Sequence, residues 1–104
     1  MNDAALKIPF TANFLNKHSE TIFNQRDWII ASGYVEVDLP PHQTLFVTFW
    51  KKGVQIARHK LENSHETQWA YAKKTKSVVN FDQIDLASPP DCSLKVQGNI
   101  YLTN

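Results

Sequence analysis

Strict alternation of apolar and polar side chains is the feature that most restricts how this chain can fold. It is clearest at residues 92–103, where every apolar residue is followed by a polar one. The apolar set is Cys92, Leu94, Val96, Gly98, Ile100 and Leu102. Successive side chains of a β-strand point to opposite faces of a sheet, so this spacing predicts a long antiparallel strand with one buried and one wet face.

The same period of two predicts strands in the first half of the chain. Residues 6–14 alternate around Pro9, which lacks the N–H group that a ladder needs and therefore favours an edge strand. Residues 28–39 carry their apolar side chains at odd positions until Pro40 and Pro41 end the pattern. We expect the first of these strands at a sheet edge and the second facing the core.

Gly33 and Gly98 occupy apolar positions of these strand patterns. A glycine inside a strand often marks a bulge or the close approach of another backbone. We expect such an approach at both glycines, which would leave room for Trp28, Tyr34 or Phe81 to fill the core.

A hairpin in the middle of the chain is the clearest pairing signal. Residues 45–50 and 54–61 are strand candidates joined by Lys51, Lys52 and Gly53. A three-residue connection that ends in glycine predicts a type I turn with Gly53 in the left-handed conformation.

Weaker signals surround this hairpin. Short strand candidates lie at residues 68–72 and 77–81, on either side of a polar turn at residues 73–76. A short turn of helix is the alternative to extended structure at residues 17–24 and 81–86, where the period of two is less regular.

Together these elements predict an all-β fold, an antiparallel β-sandwich of about seven to eight strands, with an OB-like barrel of about five strands as the alternative. The chain has 104 residues, which is a common domain size, so we expect residues 1–104 to form a single β domain. The composition, 42% hydrophobic and 20% charged, is that of a soluble globular protein. The N-terminus has no secretion-signal pattern and Cys92 is the one cysteine, so a cytoplasmic location is expected.

Charge is strongly polarised along the chain although its net value is +1. Residues 51–76 hold seven Lys and Arg against two Glu, a net of +5, while the rest holds four against eight, a net of −4. Trp50, Trp69 and Tyr71 lie within or beside the basic segment. Such polarity predicts a surface for an anionic partner.

The candidate binding residues combine aromatic rings with cations. If Leu45, Val47 and Phe49 face the core, Phe46 and Trp50 must face the other side of the sheet. Rings beside Lys and Arg suit stacking on a base or a sugar while the cations pair with anionic groups. The full candidate set is Phe46, Trp50, Lys51, Lys52, Arg58, Lys60, Trp69, Tyr71, Lys73, Lys74 and Lys76.

The function that this set predicts is a non-catalytic binding module for an anionic or carbohydrate-bearing partner. Three alternatives stay open: an OB-like binder of single-stranded nucleic acid, a protein-interaction subunit, and a sandwich that binds an anionic membrane surface. The interaction subunit would be a phage or secretion-system component or a toxin-neutralising partner, and it would form a homo-oligomer. The simplest alternative is that Phe46 and Trp50 pack in a core or subunit interface while the charges form a solvated face.

Patterns typical of enzymes and metal sites are absent from the sequence. Three glycines in the whole chain leave no phosphate-binding loop. His59 and His65 do not share a strand face without a bend between them. Asp82 and Asp85 are expected to cap a helical turn or to oppose the basic hairpin, and Cys92 to be a structural thiol on a buried face. We therefore predict no catalytic activity, no cofactor and no metal.

Overall fold

A computed structural model of the protein describes residues 6–15, 17–24, 31–63, 71–89 and 94–103. These residues form nine strands, one or two more than the sequence predicted. The strands are β1 (Leu6–Asn13), β2 (Ser19–Asn24), β3 (Ala31–Leu39), β4 (Gln43–Lys51), β5 (Val54–Asn63), β6 (Tyr71–Lys74), β7 (Val78–Phe81), β8 (Gln83–Ala87) and β9 (Lys95–Thr103). Among the described residues, no helix is long and apolar enough to cross a bilayer.

The strands form two antiparallel sheets that pack face to face. Sheet A has the order β1-β9-β3-β6, with β7 also paired to β3, and sheet B has the order β2-β8-β4-β5. The predicted antiparallel sandwich is confirmed, and two separate sheets with their own edges contradict the alternative of one OB-like barrel. Strand β1, which contains Pro9, lies at an edge as predicted.

Apolar residues at alternate positions of both sheets fill the space between them. Leu45, Val47 and Phe49 of β4 are fully buried, which confirms their predicted inward side. The ring centroid of Phe81 lies 5.0 Å from that of Phe49 and 5.8 Å from that of Phe23, both in edge-to-face geometry. This arrangement is the preferred one for aromatic pairs and joins β2, β4 and β7 in one core.

A buried amide links the two sheets near one end of the sandwich. The side chain of Asn63 is fully buried and its Nδ2 donates to the backbone oxygen of Leu39, at 2.8 Å. The backbone oxygen of Asn63 accepts from the N–H of His42, at 2.7 Å. The first bond holds the end of β5 against the end of β3, and the second continues the pairing of β5 with β4.

Extended structure replaces the helical turns considered at residues 17–24 and 81–86. Strand β2 pairs with β8, which also pairs with β4, so both segments satisfy their backbone groups across strands. Ile84 and Leu86 are fully buried at alternate positions of β8. Tertiary pairing therefore decides what the weak local pattern left open.

The β4–β5 hairpin has a tighter turn than predicted. Lys51 pairs directly with Val54, so the connection is the two residues Lys52 and Gly53, with φ values of 50° and 80°. Positive φ at both positions is typical of a type I′ turn, whose twist matches that of the strands. The carboxylate of Asp82 accepts from the backbone N–H of Lys52 at 2.9 Å and so supports the left-handed conformation.

A β-bulge follows this turn and changes the parity of β5. The register shifts between Phe49, which pairs with Ala57, and Trp50, which pairs with Gln55. In a regular strand residues 54, 56, 58 and 60 would share one face, and the extra residue of the bulge breaks that series at Ile56.

Strands β6 and β7 both pair with β3 rather than with each other. Residues 36–39 of β3 pair with β6, and the other end of β3 pairs with β7. The strand at β6 extends to Lys74, so the polar turn predicted at residues 73–76 lies at residues 75–77.

The close backbone approach predicted at Gly33 and Gly98 is confirmed. A Cβ atom at Gly98 would overlap the carbonyl oxygen of Glu36, and one at Gly33 would overlap the carbonyl oxygen of Tyr101. Of the residues expected to use the freed space, Phe81 is in the core, whereas Tyr34 is half-buried on the outer face of sheet A. Trp28 lies outside the described residues.

Candidate anion-binding groove

A basic groove lies where an edge of sheet B meets an edge of sheet A. Strand β5 is the outer strand of sheet B, and the segment after β6 lies beside it. The groove between them has a volume of about 340 Å³. We call it the edge groove; it is lined by Arg58, His59, Lys60, Leu61, Lys74, Thr75 and Lys76.

Strand β5 supplies one side of the edge groove. Arg58 and Lys60 flank the inward-facing His59 on β5. Arg58 pairs in register with Thr48 of β4, and Lys60 pairs with Phe46. The guanidinium carbon of Arg58 lies 4.6 Å from the centre of the Phe46 ring. This cation–π contact holds the Arg58 side chain over the outer face of sheet B.

Thr75 positions the other side of the groove. Its backbone N–H donates to the backbone oxygen of Val35 at 2.9 Å, and its buried hydroxyl accepts from the N–H of Val35 at 3.2 Å. The same hydroxyl donates to the backbone oxygen of Lys76 at 2.9 Å. Thr75 therefore anchors the backbone to β3 while the exposed side chains of Lys74 and Lys76 flank it.

His59 joins the two sides of the groove. Its Nδ1 accepts from the backbone N–H of Lys76 at 3.2 Å, and its ring centre lies 5.7 Å from that of Phe49. Burial, and then the nearby charge of Lys76, lower the pKa of His59 below the usual value of 6.5. Both effects favour the neutral imidazole, which is the form that can accept this hydrogen bond.

Positive charge dominates the edge groove. Its lining contains four cations, namely Arg58, Lys60, Lys74 and Lys76, and no carboxylate of the residues that the structure describes. Glu62 lies nearby, with its carboxylate 3.9 Å from the ammonium of Lys60, but both side chains are more than half exposed. An exposed pair of this kind is worth only about 0.2–1 kcal/mol, so Lys60 remains available to an incoming anion.

A second depression adjoins the groove on the side of sheet A. It measures about 360 Å³ and is lined by Tyr34, Lys74, Thr75, Lys76 and Ser77. The ring of Tyr34 stacks on that of Tyr101, with centroids 5.0 Å apart and planes 19° apart. These tyrosines are absent from the candidate set predicted from the sequence, although both lie at the outward positions of alternating strands.

Charged groups surround the tyrosine pair. Lys74 and Lys7 lie over the outer ring faces, with their ammonium nitrogens 5.9 Å from the centre of Tyr34 and 6.0 Å from that of Tyr101. The Tyr101 hydroxyl donates to the carboxylate of Glu36 at 3.4 Å. Burial, and then the charge of Glu36, raise the pKa of Tyr101, which keeps the phenol protonated.

Lys51, Lys52 and Lys73, three further candidates that the structure describes, do not line the edge groove. Lys51 and Lys52 lie at the tip of the β4–β5 hairpin, and Lys73 pairs with Val37 on the opposite side of β6 from Lys74. Trp69 and the side chain of Tyr71 lie outside what the structure describes.

Trp50 is half-buried on the outer face of sheet B, where it pairs with Gln55 and Gln83. Its indole Nε1 is buried and has no hydrogen-bond partner in the described part of the chain. The polar edge of the ring is therefore turned into the protein, so Trp50 can offer a ligand the exposed part of its ring but not its N–H group.

Asp82 and Asp85 make hydrogen bonds within the fold. Asp82 is almost fully buried and opposes the basic hairpin through Lys52, as one of the two sequence predictions stated. The carboxylate of Asp85 accepts from the hydroxyl of Thr21 at 2.7 Å and from the side-chain amide of Gln83 at 3.0 Å. Among the described residues, no cluster of three or more His, Cys, Asp or Glu is placed to hold a metal ion. Asp91, His65 and Cys92 lie outside the described part.

Another shallow depression, of about 420 Å³, lies on the outer face of sheet A. Among the described residues its polar lining includes Thr11, Asp38, Gln97 and Asn99 but no cation. It is therefore less suited to an anionic ligand than the edge groove.

The fold is a two-sheet antiparallel β-sandwich, and one solved structure resembles it over nearly its whole length. That structure is described as "Bacillus endospore appendages form a novel family of disulfide-linked pili"; it has a TM-score of 0.54 and 15% sequence identity, with 99% of this chain and 88% of that chain covered. At this identity the likeness shows the fold alone. No family model matches the chain, and neither does any curated protein.

Proposed function

We propose that this protein is a non-catalytic binding module that holds an anionic ligand in the edge groove. The observation that carries the proposal is that Arg58, Lys60, Lys74 and Lys76 all line one groove, whose lining among the described residues includes no acid. These cations come from two sheets, and the fold keeps them together in spite of their mutual repulsion. An arrangement of this kind is favoured when an anion completes it.

The side chains of the groove suit recognition of sulfate, phosphate or carboxylate groups. Arg58 offers a planar fork that binds two anionic oxygens at once, whereas the lysines act as mobile point charges. The cations are exposed, so each contact is weak by itself and screened by salt. We therefore expect moderate affinity that depends strongly on ionic strength.

Binding of a sulfated oligosaccharide, single-stranded DNA and anionic vesicles at low and moderate salt tests the proposal. Arg58→Gln together with Lys76→Gln should weaken binding about tenfold or more, because two charge contacts of about 0.7 kcal/mol each are lost. If all four groove cations pair with the ligand, the logarithm of the association constant should fall with the logarithm of the salt concentration, with a slope of about −3. Lys95→Gln is the matched control, because it removes an exposed charge of β9 that does not line the groove.

The proposal is refuted if none of the three probes binds at low salt. It is equally refuted if the double variant binds each probe as well as the wild type does. Circular dichroism of both variants checks that the sandwich is intact, because all three substituted side chains are exposed.

The fold likeness to a pilus protein favours a second candidate function, that of a subunit in a protein assembly. The similar structure is described in terms of disulfide-linked pili. These 104 residues contain one cysteine, Cys92, so disulfides between copies of them would join only pairs. A longer assembly would have to use noncovalent contacts.

Light scattering and electron microscopy of the purified protein, with and without reductant, test this candidate. Filaments or higher oligomers at micromolar concentration that persist in reductant would support a noncovalent assembly. A monomer under all conditions would exclude it and would leave the binding module as the function.

A further inference from the structure

Three cation–aromatic contacts follow one another around the edge of the sandwich. Arg58 lies over Phe46 on sheet B, and on sheet A Lys74 lies over Tyr34 and Lys7 over Tyr101. The edge groove and the adjoining depression share Lys74, Thr75 and Lys76, so the first contact connects with the other two. We call this surface the edge path; its main residues are Arg58, Lys76, Lys74, Tyr34, Tyr101 and Lys7.

The edge path is much longer than a single small anion. Lys7 is in register with Tyr101, which is in register with Tyr34, and Lys74 lies on the next strand, β6. Three steps between neighbouring strands cover about 14 Å, and the distance from sheet to sheet adds about 10 Å. A path on the order of 25 Å with cations at both ends and in the middle matches a linear polyanion.

Aromatic ring faces along the path are already occupied. Tyr34 and Tyr101 cover each other on one side, and Lys74 and Lys7 lie over their other sides. Binders of single-stranded nucleic acid need free ring faces on which successive bases stack. The path therefore lacks the main contact that such a ligand requires.

Polar groups along the path fit a sugar-bearing ligand better. Tyr34 and Ser77, which both carry a hydroxyl, line the depression beside Lys74 and Lys76. Ammonium and hydroxyl groups together bind acidic groups and the hydroxyls of sugar rings without any stacking.

From these contacts we propose that the ligand is an acidic polysaccharide that crosses the edge of the sandwich, from Arg58 on sheet B to Lys7 on sheet A. This inference rests on the proposed function of the edge groove and extends it in length and in ligand class. A short fragment occupies the groove alone, whereas a longer chain also reaches the tyrosine pair and Lys7.

A length series of heparin oligosaccharides, from disaccharide to decasaccharide, tests the inference by calorimetry at low salt. We expect affinity to increase with length beyond the tetrasaccharide. Lys7→Gln should weaken decasaccharide binding about two- to fivefold, the effect of one exposed charge contact, and leave disaccharide binding unchanged. Arg58→Gln should weaken the binding of both lengths.

Lys95→Gln is again the control, since Lys95 is exposed on the same sheet face and lies about 20 Å along β9 from Tyr101. Equal affinity for all lengths, or an equal effect of Lys7→Gln and Lys95→Gln, would contradict ligand binding along the edge path. Either result would still be compatible with binding in the edge groove. Tighter binding of oligo(dT) than of the decasaccharide at equal charge would contradict the proposal that the ligand is a polysaccharide. If Arg58→Gln affects neither ligand, the proposed function itself fails.

Discussion

Substitution of Gly98 by alanine should be one of the most damaging single changes in this protein. Gly98 lies in the middle of β9, in register with Phe10 of β1 and Val37 of β3. A Cβ atom there would overlap the carbonyl oxygen of Glu36 and lie 2.9 Å from the Cα of Val37. Ordinary carbon contacts are about 3.5–4.0 Å, so β3 and β9 would have to separate.

The cost follows from that separation. Forcing an extra carbon into a packed region costs about 1–3 kcal/mol, and each ladder hydrogen bond that is lost adds about 1 kcal/mol. With one or two bonds broken beside Gly98, the expected total is about 2–5 kcal/mol. That is a large share of the stability of a domain of this size, which is about 5–15 kcal/mol.

Equilibrium unfolding in urea, followed by circular dichroism, measures the effect. Gly53→Ala is the comparison variant: apart from its two chain neighbours, no described residue has an atom within 4 Å of a Cβ at Gly53, so only its φ of 80° opposes a side chain. The left-handed conformation alone costs about 1–2 kcal/mol. If Gly98→Ala destabilises the protein no more than Gly53→Ala does, the two strands are not packed as closely as described and the reasoning is wrong.

Two further predictions concern His59 and Asp82. Because burial lowers the pKa of His59 in the folded protein, the imidazole takes up a proton more readily in the unfolded chain, and the free energy of unfolding should fall as pH drops below 6.5 towards the lower folded pKa. In urea unfolding, His59→Gln should show a weaker pH dependence of stability than the wild type. An equal pH dependence would contradict the lowered pKa of His59. In the same assay Asp82→Ala should lower the free energy of unfolding by about 1–3 kcal/mol, because the backbone N–H of Lys52 loses its acceptor. Asp82→Asn keeps an oxygen at that place and should cost less than half as much. Equal losses of stability in the two variants would exclude the hydrogen bond as the cause.

Sequence patterning was sufficient for the fold class and for the inward faces of the main strands. The alternation in β3, β4 and β9 correctly identified Val35, Val47 and Ile100 as core residues, because the pleat of a strand converts local spacing directly into sidedness. Weak patterns failed where pairing partners decide the conformation, as in β2 and β8. The hairpin turn was placed correctly, but its length depends on a bulge and on the distant Asp82.

The candidate site was only partly accessible from the sequence. Charge clustering pointed to Arg58, Lys60, Lys74 and Lys76 together with cations that lie elsewhere, such as Lys52 at the hairpin tip. Composition does not distinguish the lysines that meet in a groove from those that point away from it. Aromatic content pointed to tryptophans, whereas the rings placed beside the described cations belong to tyrosine and phenylalanine.

By itself, the sequence determined that this chain is built from antiparallel strands and carries a strongly basic segment, because side-chain alternation and charge are local properties. The strand pairings of the tertiary structure decided for a sandwich of two sheets over a barrel. Only the tertiary structure decided that β5 and the segment after β6 lie side by side. Their contact depends on separate pairings, of β5 with β4 and of β6 with β3, and on a hydrogen bond between His59 and Lys76. The edge groove exists because residues distant along the chain meet where the two sheets come together, and no local pattern encodes that meeting.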